Sequence, residues 1–157
     1  MKITTQVNTA RWLVCAGVIA MGITGSEPGA FAQERKVVNL SPTRGLPFND
    51  GMVAGNTLYV AGQEGTDASS KLVAGGIGPE TTVTLENIQK VLKAAGFDLK
   101  DVVSVIVYLA DIHEFGEMNK VYKSVMPDPK PARATIQAAA LVNNARVEIS
   151  AIAVKQK

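Results

Sequence analysis

From residue 79 to residue 96 apolar positions recur every three or four residues, at Leu85, Ile88, Leu92 and Ala95. That spacing predicts a helix with one buried stripe, opened by Pro79 in its first turn and closed by Gly96. A second stripe, Phe115, Met118, Tyr122 and Val125, predicts another helix, capped by Asp111 and ended by Pro127 and Pro129. Elsewhere the period is two. Arg133, Thr135 and Gln137 share one face of a predicted strand and Ala134, Ile136 and Ala138 the other, while Arg146, Glu148 and Ser150 oppose Val147, Ile149 and Ala151 in the last strand. Residues 102–110 are almost continuously apolar and β-branched, the pattern of a strand covered on both faces. Before the first helix, residues 51–54 and 58–61 flank Gly55-Asn56, a dipeptide suited to a tight reversal, so they predict a hairpin. Residues 37–40 read as a short strand and residues 62–78 as a loop that includes Gly75-Gly76-Ile77-Gly78. The order of elements is α+β, with two helices covering one face of a single sheet.

The N-terminus follows different rules. Lys2 and Arg11 precede an apolar run from Trp12 to Thr24, and Ala30-Phe31-Ala32 stands just before Gln33. The run is about 20 Å long as a helix at roughly 1.5 Å per residue, short of a roughly 30 Å hydrocarbon core, and the layout predicts a signal peptide over residues 1–32. The domain is then residues 33–157, exported to the periplasm or the medium and without membrane attachment after cleavage. Cys15 is the sole cysteine and falls within the leader, so the mature chain has no thiol for disulfides, thiolate ligands or nucleophilic catalysis. Of 157 residues, 46% are hydrophobic and 19% charged, which suits a buried core. Without Lys2, Arg11 and Glu27 the mature chain has 14 basic and 13 acidic residues, a balance that argues against a nucleic-acid partner.

Candidate chemistry is sparse. His113 is the single histidine, so a multi-histidine metal site cannot form; no metal or cofactor is expected, and His113 itself reads as a solvated residue at a helix start. Arg133, in Pro131-Ala132-Arg133-Ala134-Thr135, stands at a strand start where its planar fork could grip a carboxylate. Glu148 lies mid-strand between apolar neighbours, facing either solvent or a partly closed site that would suit a base. If the last two strands formed a hairpin turning at Asn143-Asn144, Glu148 would face Ala139 and Arg133 would be roughly 20 Å away at about 3.3 Å per residue. The two can meet only if the strands are not direct partners, or if one residue comes from a neighbouring subunit.

The chain resembles the RidA/YjgF family, also named for endoribonuclease L-PSP. The resemblance rests on Leu58-Tyr59-Val60-Ala61-Gly62-Gln63, Thr84-Leu85-Glu86-Asn87-Ile88, Asp101-Val102-Val103, Asn119-Lys120-Val121-Tyr122, Pro131-Ala132-Arg133 and the run from Val147 to Ala153. It implies a chorismate-mutase-like α+β fold and a homotrimer with ligand clefts between subunits. It also implies hydrolytic deamination of reactive 2-enamine or 2-imino acids, of the 2-aminoacrylate type, to 2-oxo acids and ammonia. Arg133 would clamp the carboxylate, Glu148 would orient the attacking water, and Asn119, Phe48, Ala61, Gly62 and Thr135 would line the pocket. Two departures remove hydroxyl groups from that implied pocket. Ala61 stands where many active members have a hydroxyl before the Gly-Gln pair, and Phe48 stands where many have a tyrosine. Ser150 and Gln137 replace frequent glutamates. The alternatives are a trimer that binds small carboxylates, or protects proteins, without turnover, and a ribonuclease, against which the charge balance and the lack of a histidine pair both argue.

Overall fold

A computed structural model describes residues 33–41 and 45–156. The expected signal peptide lies outside the described residues. Six strands form one sheet: β1 (Arg35–Val38), β2 (Gly51–Ala54), β3 (Thr57–Glu64), β4 (Val102–Leu109), β5 (Ala132–Gln137) and β6 (Val147–Val154). Their order across the sheet is β1-β2-β3-β6-β4-β5. β4 and β5 are parallel and every other pair is antiparallel. The helices are α1 (Ile77–Ala94) and α2 (Phe115–Val125). No helix of the described residues is long and apolar enough to cross a membrane.

The period-two patterns explain this arrangement. In β6, Val147, Ile149, Ala151 and Ala153 are buried, and they pair across β4 with Leu109, Val107, Val105 and Val102. This face meets the stripes of the helices, Leu85, Ile88, Val91 and Leu92 from α1 and Met118 and Tyr122 from α2, in one apolar core. Removing side chains of this size from water supplies most of the driving force for folding. The hairpin is present, with Gly55 at φ +59° between β2 and β3.

Four expectations need correction. The first strand covers Arg35–Val38 rather than residues 37–40, because its register on β2 pairs Arg35 with Ala54 and Val38 with Gly51. The loop set at residues 62–78 is shorter at both ends: β3 runs on to Glu64 and α1 starts at Ile77, behind Gly76 at φ +88°. Asp111 caps a 3-10 turn, Ile112–Glu114, which leads into α2; its side chain accepts from the His113 N–H. Finally, β4 is internal to the sheet, between β6 and β5, but covered by helices on one side only. Val103 and Ile106 are exposed on it, and Tyr59 and Ile136 on β3 and β5 are exposed as well.

The strand extension depends on a bulge. Val60 pairs with Ala151 and Gln63 with Ile149, so Ala61 and Gly62 together stand opposite Ser150. One extra residue in a strand bends it and changes which side chains face which way. At the far end of the same region, buried Glu80 of α1 fixes the start of β6. Its Oε1 accepts from the Arg146 N–H at 2.6 Å and the Val147 N–H at 3.3 Å. Glu80→Ala leaves those backbone donors unpaired and should cost about 1–3 kcal/mol. Exposed Glu86→Ala on the same helix should change stability by less than about 0.5 kcal/mol. Urea unfolding followed by circular dichroism checks both.

Candidate active site

Arg133 projects from the edge strand β5 on the helix side of the sheet. Its register partner is Val105, which is buried under the helices. The guanidinium stacks on the Tyr122 ring, 4.4 Å from its centroid, and lies 5.6 Å from that of Phe115. One terminal nitrogen donates to Asn119 Oδ1 at 2.7 Å. The stripe of α2 therefore does two jobs: Met118 seals the core, while Phe115, Asn119 and Tyr122 hold the arginine. A cation on aromatic faces keeps its charge but loses mobility, so its remaining N–H groups are set in advance for an anion. An open cleft of about 750 Å³ lies here, lined by Asn119, Lys120, Tyr122, Lys123, Lys130 and Arg133 among others. The Tyr122 and Thr135 hydroxyls are buried with no hydrogen-bond partner among the described residues. Burial pushes the Tyr122 hydroxyl above its usual pKa, against the pull of the Arg133 cation.

Glu148 occupies the other side of the sheet. It pairs with Tyr108 on β4 and with Glu64 on β3, and alternation along β6 turns it away from the buried Val147 and Ile149. The bulge gives it room. A Cβ built on Gly62 would stand 2.8 Å from the Glu148 carboxyl carbon and closer still to Oε1, so the carboxylate occupies space that any other residue at position 62 would need. Ala61, beside it, is half-buried. Phe48 is 56% exposed in the segment before β2. Hydrogen bonds from the Leu40 N–H to Asp50 and from the Asp50 N–H to Asn39 pin that segment.

The expected residues thus fall into two groups. Arg133, Asn119 and Thr135 are on the helix side, and Glu148, Gly62 and Ala61 gather at the bulge. The hairpin between the last two strands does not form, since β4 lies between β5 and β6. Even so, Arg133 and Glu148 are separated by two strand spacings, roughly 10 Å, and by three residues along β4, roughly 10 Å. They also face opposite ways. Within one protomer they cannot grip one small molecule. His113 is not in either group; its exposed ring bonds to Asp111 at 2.8 Å. Among the described residues, no three His, Cys, Asp or Glu side chains gather so as to hold a metal ion.

One residue at the bulge escaped the sequence reading. Glu64, directly across from Glu148, accepts from Asn143 Nδ2 at 3.0 Å. Its carboxyl is held above the usual range, first by burial and then by the charges of Glu148 and Glu80, with the Asn143 amide opposing. The available signal was Gly62, since a glycine inside a strand pattern often marks a bulge and a continuing strand rather than an end.

Comparison with known proteins agrees with this fold. The family described as endoribonuclease L-PSP matches residues 38–155. The chain is 44% identical over 124 residues to the 2-iminobutanoate/2-iminopropanoate deaminase of Rattus norvegicus, covering 77% of this chain and 90% of that protein. Among solved structures, RidA from an Antarctic Psychrobacter species has a TM-score of 0.72 at 32% identity, over 76% of this chain and 99% of the other. TdcF of E. coli, with bound serine, has a TM-score of 0.72 at 26% identity, over 77% and 99%. The protein belongs to the RidA/YjgF, or endoribonuclease L-PSP, family.

What the helix side can do chemically is bind a small carboxylate by paired N–H donors. Arg133→Lys keeps the charge but loses the planar fork, so pyruvate should bind at least about tenfold more weakly than to wild type. Asn119→Ala, which frees the guanidinium, should weaken binding less. Titration calorimetry at fixed ionic strength measures both.

Proposed function

We propose that the protein hydrolyses small 2-imino acids, and the enamines in equilibrium with them, to 2-oxo acids and ammonia, in clefts formed between copies of the chain. The observation that carries this reading is the prefixed guanidinium of Arg133, stacked on Tyr122 and bonded to Asn119, in a chain 44% identical to a deaminase of 2-iminobutanoate and 2-iminopropanoate. Such substrates have a carboxylate adjacent to the electrophilic carbon. Clamping the carboxylate fixes that carbon, and a carboxylate base aimed at a water then needs to supply only orientation and a proton acceptor. Arg133 is the clamp and Glu148 the water-positioning base. Thr135 and Asn119 line the cleft beside the clamp, Gly62 and Ala61 lie beside the base, and Phe48 contributes an apolar wall.

A second copy is part of the proposal because the two groups lie on opposite faces of one sheet. The helix-free face offers a surface on which copies can meet: Tyr59, Ile106 and Ile136 are 50%, 39% and 49% exposed there. Exposed apolar area of this kind is characteristic of an interface. We read the assembly as a homotrimer in which Arg133 of one copy approaches Glu148 of the next. TdcF of E. coli was solved with bound serine, a small molecule bearing a carboxylate of the kind the Arg133 clamp would take. We further propose that residues 1–32 are removed on export; N-terminal sequencing of the secreted protein should then read from Gln33.

Iminopropanoate generated in situ by an amino-acid oxidase, with ammonia release followed, tests the reading. Wild type should outpace buffer, Glu148→Ala should lower kcat by about 10²-fold, and Arg133→Ala should mainly raise KM. Ile106→Glu places a charge on the helix-free face and should yield protomers that turn over no substrate, as seen by light scattering and the same assay. A wild-type rate equal to buffer, with pyruvate still bound through Arg133, would favour a carboxylate-binding trimer without catalysis.

A further inference from the structure

Hydrolysis of a C=N bond requires two proton movements at two different atoms. The attacking water must lose a proton as its oxygen bonds to carbon, and the nitrogen must gain one before it can leave. Glu148 can serve the first. Glu64 is its direct register partner across the β3–β6 pair, and side chains so placed have Cβ atoms about 4.5–5.5 Å apart. Two carboxyls on such a cross-strand pair reach the same region and can divide the acid and base roles between them, one as proton donor and the other as acceptor. Gly62, two residues before Glu64, leaves the space into which Glu148 leans. Asn143 Nδ2 donates to Glu64 Oε2, which leaves Oε1 to carry a proton.

We propose that Glu64 is a second catalytic carboxyl of this site, the proton donor to the imine nitrogen, working opposite Glu148. The inference rests on the deaminase reading and extends it. In the addition step the Glu148 carboxylate takes a proton from water while the oxygen bonds to the imine carbon, and the C=N π pair takes the Glu64 proton at nitrogen. In the collapse step the carbinolamine hydroxyl returns a proton to Glu64 and the Glu148 carboxyl protonates the amine. The C–N bond breaks, ammonia departs, and the 2-oxo acid remains with both carboxyls in their starting states.

The charges that act on Glu64 within the protomer are those of Glu148 on β6 and Glu80 on α1, with the Asn143 amide opposing them. In the assembly Arg133 of a neighbouring copy joins them. A proton donor must be protonated, so turnover is lost as pH rises through the Glu64 pKa. The Asn143 bond lowers that pKa, so its removal must move the loss to higher pH. Asn143 has φ +57°, a conformation that glycine adopts freely.

The experiment compares wild type, Glu64→Gln, Asn143→Gly and Glu148→Ala on iminopropanoate from pH 5 to 9, with oligomeric state and Tm measured for each. Expected results are a kcat about 10²-fold lower for Glu64→Gln with KM within about threefold, loss of its alkaline limb, and an alkaline limb displaced upward in Asn143→Gly. A folded Glu64→Gln that keeps kcat within about twofold and the wild-type pH profile overturns the inference while leaving the deaminase reading intact. If Glu64→Gln fails to assemble, an unmoved limb in Asn143→Gly overturns it equally. A wild type no faster than buffer sinks the deaminase reading itself.

Discussion

Side chains on β4 alternate between the two faces of the sheet, and β5 and β6 on its flanks inherit that alternation through register. Val105 pairs with Arg133, and Tyr108 pairs with Glu148. Because the two partners on β4 differ in parity, the guanidinium and the carboxylate must point to opposite sides. No rotamer change can reverse this, since crossing the sheet would require unpairing a strand. The chemistry proposed above, which brings both groups to one substrate, would therefore require a contact between copies, and the apolar side chains left uncovered on the helix-free face offer a surface for one. A helix layer on both faces would have buried Ile106 and Ile136, but it would also have closed off Glu148.

Much of this architecture was legible in the amino-acid order because burial in it follows simple periods. The stripe of α1 and the alternation of β5 and β6 identify the core faces; Arg133 is legible from its place at a strand start, whereas Asn119, which meets it only through tertiary packing, is legible only through the family resemblance. Strand order was harder. β6 enters between β3 and β4, and nothing in a local pattern distinguishes that insertion from a hairpin with β5. The near-continuous apolar run of β4 was ambiguous for a related reason: it describes a strand that is shielded on both faces, whether a helix or another protein molecule provides the shield.

Glu64 was illegible for a stereochemical reason. Alternation counted from buried Leu58 and Val60 assigns residue 64 to the helix side, and Gly62 looks like the end of a strand. The bulge at Ala61 and Gly62 cancels both inferences. It keeps the ladder going and resets the count, so Gln63 pairs with buried Ile149 while Glu64 joins Glu148. Glu80 shows the opposite case, a buried acid whose partners are backbone N–H groups of Arg146 and Val147. Its work is to hold Arg146 and Val147, the two residues just before Glu148, in place where β6 begins.

The bulge also bears on how such a site could arise. One inserted residue inverts the facing of those that follow it and needs no new type of side chain. An acid already present in the chain can thereby be carried from the wall of a core to the wall of a cleft. Which side chains meet at this end of the β3–β6 pair is thus governed by residue count as much as by residue identity, and a length change that looks neutral in composition would rearrange them.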